Sequence, residues 1–283
     1  MSAAPRATVL PDRWFRANPD SAVLSRPRLL ARSLIHLAEL DERIGFYEEL
    51  TGTAADLRMP IPDFGGLELA AVGNMLLIAS VRPFTDIQWR TAHSVIVPAL
   101  TAQLKRLRAA GATVLEPPET ILPGSRARVR YTDGTVAELV EHRPQPGELP
   151  RPSPRPAAHG AEPVLLVRRA VSASAFPAAV ALYETALGTR CDTRVRLDGA
   201  FPVELATVGS LLIVGTDGPE FTRSADVGLA LVTTVPLERA YGLPVPLDGI
   251  APAGRHLVVL REGTLAEVWD GSVGLRPATT PGP

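Results

Sequence analysis

The sequence predicts an α+β protein built from tandem βαβββ modules arranged as two halves, the last module degenerate. Three observations carry that prediction: a proline-rich stretch divides the chain, the two halves repeat each other, and each half runs strand, helix, strands twice over.

The divider is Arg143 to Pro163 (RPQPGELPRPSPRPAAHGAEP). Prolines this dense remove backbone donors and fix φ, so the segment predicts a semi-rigid linker rather than a helix or inner strand. The expected organisation is an N-terminal arm 1–27, a first domain 28–142, a linker 143–162, a second domain 163–271 and a tail 272–283.

The repeats come next. Leu29–Leu37 and Val164–Ala170 read as strands, each followed by a helix, at about Asp41–Thr51 and Pro177–Leu187. The helices end alike, FYEELTGTAAD (Phe46 to Asp56) against LYETALGTRCD (Leu182 to Asp192), with Gly52 and Gly188 as left-handed stops. LELAAVGNMLLIAS (Leu67 to Ser80) matches VELATVGSLLIVGT (Val203 to Thr216), two short strands joined at a glycine in each half. ILPGSRARVRYTDGTVAELVE (Ile121 to Glu141) matches IAPAGRHLVVLREGTLAEVWD (Ile250 to Asp270) without a gap, with Asp133-Gly134 and Glu262-Gly263 as hairpin turns. Repetition in this order indicates duplication. Within the first half, His93–Val97 reads as a strand and Pro98–Ala110 as an amphipathic helix with Leu100, Leu104 and Leu107 on one stripe. The corresponding helix of the last module has shrunk to Leu237–Tyr241.

Composition limits the functional classes. Hydrophobic residues are 46% and charged residues 21% of the 283, a globular balance. A net charge of −1 and a pI near 6.5 argue against a nucleic-acid partner, which needs excess basic charge. Lys105 is the single lysine, so an individual arginine is weak evidence of function. The single cysteine, Cys191, forbids an internal disulfide and suits a cytoplasmic location. Met1–Pro27 lacks the apolar core of a signal peptide, and the absence of an apolar run of about 18 residues predicts no membrane helix. Trp14 and Phe15 stand out in the polar N-terminal arm and are expected to dock on the body or on a second chain.

ELDERIGFYEELTG (Glu39 to Gly52), behind its strand, resembles the opening signature of the vicinal oxygen chelate superfamily. That superfamily includes glyoxalases, extradiol dioxygenases, fosfomycin-type resistance enzymes and bleomycin-binding proteins. The resemblance covers residues 28–142 and 162–271 and implies two cupped mixed sheets. It fixes fold better than chemistry. It also implies that a divalent metal, where present, is held by His or Glu side chains from the first and last strands of paired modules, with positions left for substrate oxygens. In this chain those positions fall on Arg32, on ligand-free Met75–Ser80, on His93 and on Glu138. In the second half they fall on Arg168, on ligand-free Leu212–Thr216, on Asp226 and on Glu267.

His93 and Glu138 are therefore the candidate metal ligands or acid/base pair, and Arg32 the candidate clamp for a substrate anion. Strand alternation, with Ile96 assigned to the helix-packing face, predicts that His93 faces the cup. The bland readings are a hydrogen-bonded structural histidine and an Arg32–Glu138 ion pair. The leading expectation is an enzyme of isomerase, lyase or cyclase type on a small organic substrate, in keeping with secondary metabolism. The alternative is a small-molecule binding or resistance protein without turnover, and the third reading is an extradiol-type dioxygenase, which Arg32 disfavours. A homodimer fits the resemblance, since such modules pair within or across chains.

Overall fold

A computed structural model describes residues 13–61, 66–121, 124–154, 163–199, 201–218, 227–234, 242–245 and 255–275. The first half opens with β1 (Trp14–Phe15) and β2 (Arg28–His36), then α1 (Leu40–Thr51), β3 (Leu57–Ile61), β4 (Leu67–Val72) and β5 (Met75–Ser80). A short α2 (Asp86–Arg90) leads to β6 (Thr91–Ile96), α3 (Leu100–Ala109), β7 (Thr113–Ile121), β8 (Gly124–Arg130) and β9 (Val136–His142). The second half runs β10 (Val164–Val171), α4 (Phe176–Leu187), β11 (Thr193–Leu197), β12 (Val203–Val208) and β13 (Leu211–Gly215). It continues with β14 (Leu229–Thr233), β15 (Gly242–Val245), β16 (Arg255–Leu260) and β17 (Leu265–Asp270). Leu237–Tyr241, expected as the residual helix of the last module, lies outside the described residues.

The strands form two sheets, ordered β1-β3-β4-β5-β2-β6-β9-β8-β7 and β11-β12-β13-β10-β14-β17-β16-β15. Within each module the first and last strands pair in parallel, as Arg32 with Leu76 and His93 with Ala137 do. The two modules of a half join through an antiparallel pair, β2 with β6 and β10 with β14. The result is an α+β fold with two mixed sheets. Both leading helices stop where the sequence predicts, Gly52 at φ 63° and Gly188 at φ 60°, a conformation that costs a Cβ-bearing residue. Among the described residues, no helix is long and apolar enough to cross a membrane.

Strand alternation separates three apolar clusters. One face of both sheets, with α1, α3 and α4, shares a single core that includes Leu29, Tyr47, Leu107, Leu165, Phe176 and Tyr183. The opposite face of the first sheet buries Leu30, Leu57, Met59 and Ile78, and that of the second buries Leu166, Leu205, Val214 and Trp269. The contact between the halves is two-fold in pattern. Tyr47 donates to Glu262 at 2.7 Å while its repeat partner Tyr183 donates to Asp133 at 3.1 Å. Asn74 donates to the Leu165 carbonyl at 3.0 Å while Ser210 donates to the Leu29 carbonyl at 2.9 Å.

The N-terminal aromatics dock on the body. Trp14 and Phe15 pair with Arg58 and Leu57, extending the first sheet, and Phe15 is buried. At the other end, Leu275 is buried and packs with Val273 into the outer face of the second sheet.

Candidate functional site

The first sheet curls around a cavity of about 540 Å³, within the range of small-molecule sites. Its walls are apolar because alternate residues of each strand point inward: Leu57 and Met59 from β3, Leu69 from β4, Leu76 and Ile78 from β5, Ile96 from β6. Its floor is polar. Arg32 comes from β2, Ser94 from β6, Arg126 and Arg128 from β8 and Glu138 from β9.

Glu138 is held at 3.0 Å by Arg128 and at 3.5 Å by Arg126, and the Ser94 hydroxyl donates to it at 3.1 Å. Burial pushes its carboxyl upward, but the guanidiniums of Arg32, Arg128 and Arg126 outweigh burial and hold it below the ordinary carboxylate range. Arg128 and Arg126 also pair with Glu116, and Arg126 with Glu119. Among the described residues, Arg32 makes one hydrogen bond, to the Thr91 carbonyl at 3.3 Å. The direct Arg32–Glu138 ion pair considered from sequence is therefore replaced by pairs from β8.

The expected inward orientation of His93 is corrected. His93 pairs with Ala31, and Leu30 pairs with Ser94. Leu30 and Ser94 line the cavity, so His93 and Ala31 face the shared core. The physical cause is that the cup wall is itself apolar and accepts Ile96, which alternation had assigned to the other face. His93 is 2% exposed. Its ring lies 5.8 Å from that of Tyr131 and 6.3 Å from that of Tyr183. Burial lowers its pKa to about 4, against a smaller raising effect from Asp133, so the imidazole is neutral at neutral pH. His93 and Glu138 thus stand on opposite faces of the sheet and cannot share a metal ion or a substrate.

Sequence reasoning passed over Arg126 and Arg128. The signal was present in Ser125–Arg130 (SRARVR), where arginines two apart in a strand share a face, and Arg126 repeats as Arg255.

The second sheet places the matching residues in a closed interior. Glu267 is held at 2.8 Å by both Arg168 and Arg255, and Trp269 Nε1 donates to it at 2.7 Å. The side chains of all three charged residues are 0% exposed. Burial raises the Glu267 carboxyl, yet Arg168 and Arg255 bring it below its ordinary range. Asp226 lies outside the described residues, and the residue paired with Glu267 on β14 is Ala230.

Among solved structures, a triple mutant of 4-hydroxymandelate synthase from Streptomyces coelicolor aligns over 87% of this chain and 93% of its own, at 15% identity and a TM-score of 0.52. This chain has the vicinal oxygen chelate fold. An Mn(II)-bound glyoxalase from Novosphingobium aromaticivorans aligns over 87% of this chain and 82% of its own, at 15% identity and a TM-score of 0.45. An uncharacterized protein from Methanosarcina mazei is 32% identical over 41% of this chain and 92% of its own, at a TM-score of 0.37. No protein-family model and no curated protein matches the chain.

The fold family implies a divalent metal, and the donor set in the first cup does not suit one. The inward-facing residues at the four strand positions are Arg32, Leu76 or Ile78, Ser94 and Glu138. A guanidinium cannot ligate and repels a cation, and the one carboxylate is already neutralised by two arginines. Among the described residues no three His, Cys, Asp or Glu side chains converge as a metal site would require.

Proposed function

We propose that the first cup binds a small organic molecule with an apolar body and holds it without turnover. The observation that carries this reading is a 540 Å³ apolar-walled cavity whose floor carboxylate, Glu138, is already engaged by Arg126, Arg128 and Ser94. Glu138 is kept ionised, and burial lowers His142, the histidine that lines the cavity, to about 4. The leading expectation from sequence, acid/base or metal chemistry by His93 with Glu138, loses its geometry once His93 faces the core. The alternative, a binding or resistance protein, is what the remaining side chains suit.

The test uses the fold's own internal control. Val140 lines the first cup, and the gap-free repeat puts Trp269 at its counterpart in the second. Wild-type protein and Val140→Trp are incubated with a library of small organic compounds, separated by ultrafiltration and analysed by mass spectrometry. The expected result is a compound retained by wild type, lost from Val140→Trp and recovered with unchanged mass. A compound consumed by the wild type, or retention unaffected by the tryptophan, overturns the reading.

A further inference from the structure

Both halves carry an arginine at the same position of their first strand, and the surroundings of the two differ. Arg168 is engaged by Glu267 at 2.8 Å in a fully closed interior. Arg32 has no carboxylate within 4 Å among the described residues and lines an open cavity. One substitution between the repeats bears directly on this difference. Arg128 of β8 stands where the second half has Leu257, and Arg128 draws Glu138 to itself at 3.0 Å. With Arg126 also on Glu138, the glutamate acts on Arg32 through its field and not through a contact ion pair. Among the described residues, those lining the cavity include Arg32, Arg82, Arg126 and Arg128 against Glu116 and Glu138, an excess of positive charge in an apolar vessel. A guanidinium partly withdrawn from water and without a contact ion pair is costly, and an anion brought by a ligand offsets that cost. Its planar fork matches the two oxygens of a carboxylate.

We propose that Arg32 is the anion seat of the first cup and that the ligand is an organic carboxylate with an apolar body. The guanidinium then occupies the place that metal-dependent relatives give to their first ligand. This inference rests on the binding reading above and adds to it the chemical class of the ligand.

The test is isothermal titration calorimetry of the full chain with 2-naphthylacetate and decanoate, each beside its primary amide. The carboxylates are expected to bind about ten-fold or more tighter than the amides. In Arg32→Gln the preference is expected to fall to about two-fold or less, through loss of carboxylate affinity. Equal binding of acid and amide by the wild type, or a preference that survives Arg32→Gln, overturns the seat and leaves the binding reading standing. Failure of acids and amides alike to bind overturns the binding reading and the seat together. The wild-type comparison needs no variant, so it decides even where Arg32→Gln misfolds. Leu76→Glu is the second variant: residue 76 pairs with Arg32 and faces the cavity, so a carboxylate there is expected to fill the seat and erase the preference.

Discussion

The two cups are built from the same repeat and have reached opposite states. Each places an arginine on its first long strand, a glutamate on its last and a second arginine on the strand that flanks the last: Arg32, Glu138 and Arg126 in one, Arg168, Glu267 and Arg255 in the other. In the second cup the three close on one another under Trp269, and Leu275 packs over the same face. In the first cup Arg128 and Glu116 join them, Val140 replaces the indole, and a cavity remains. Changes at a few residues in a shared frame thus separate a sealed ionic core from a vessel with a cation at its floor. The comparison shows that a repeated charge triad is not by itself a site: what surrounds the triad decides whether its charges serve the core or a ligand.

The largest expected effect is on the sealed triad. Glu267→Gln strips two fully buried guanidiniums of their shared counter-charge, and urea unfolding is expected to register a loss of about 3–5 kcal/mol. A loss below about 1 kcal/mol would mean that water reaches the second cup after all. Trp269→Val comes next, at about 3 kcal/mol, because a cavity replaces the indole. It is expected to open the second cup without creating a naphthylacetate site, since Arg168 already has its partner, and a second calorimetric site in that variant would break the distinction drawn between the cups.

Acid sharpens the comparison further. His93 has Leu229 as its counterpart in the second half, since each pairs one residue away from the matched Leu30–Ser94 and Leu166–Ala230 pairs. The folded-state pKa of His93 is lowered from 6.5 to about 4. The unfolded chain therefore takes up a proton that the folded chain refuses, and stability falls as pH drops from about 6.5 to about 4. The loss from this one residue is up to roughly 3 kcal/mol. The depressed carboxyls of Glu138 and Glu267 act in the same direction lower down. Their stabilisation is present above the unfolded carboxylate value and is lost as pH falls through their folded values. His93→Leu, which copies the second half, is expected to flatten the slope between pH 6.5 and 4 in thermal melts. An unchanged slope would show that His93 is solvated. Smallest is Glu138→Gln, at about 1–2 kcal/mol, because Arg126 and Arg128 keep Glu116 and Glu119. A cost equal to that of Glu267→Gln would mean that both cups are equally closed.

Much of this was legible before any coordinates. Gly52 and Gly188, the Asp133-Gly134 and Glu262-Gly263 turns and the gap-free match of the last hairpins are local signals, and local signals fix elements and their order. The repeat also disclosed that Arg32 and Arg168, and Glu138 and Glu267, occupy equivalent places. The orientation of His93 was not legible. A strand bounded by two apolar surfaces carries no amphipathic record, so Ile96 could not tell helix face from cup wall. Nor could the sequence say which arginine takes which glutamate. Arg126 and Arg128 lie on a neighbouring strand, and their claim on Glu138 arises from the pairing of β8 with β9, which places Arg128 opposite Glu138. The amino-acid sequence alone determined the modules, their duplication and the residue types at each strand position. Only the tertiary structure decided which cup stays open and which arginine faces it without a contact ion pair among the described residues, because burial and ion pairing depend on side chains that meet across strands rather than along them.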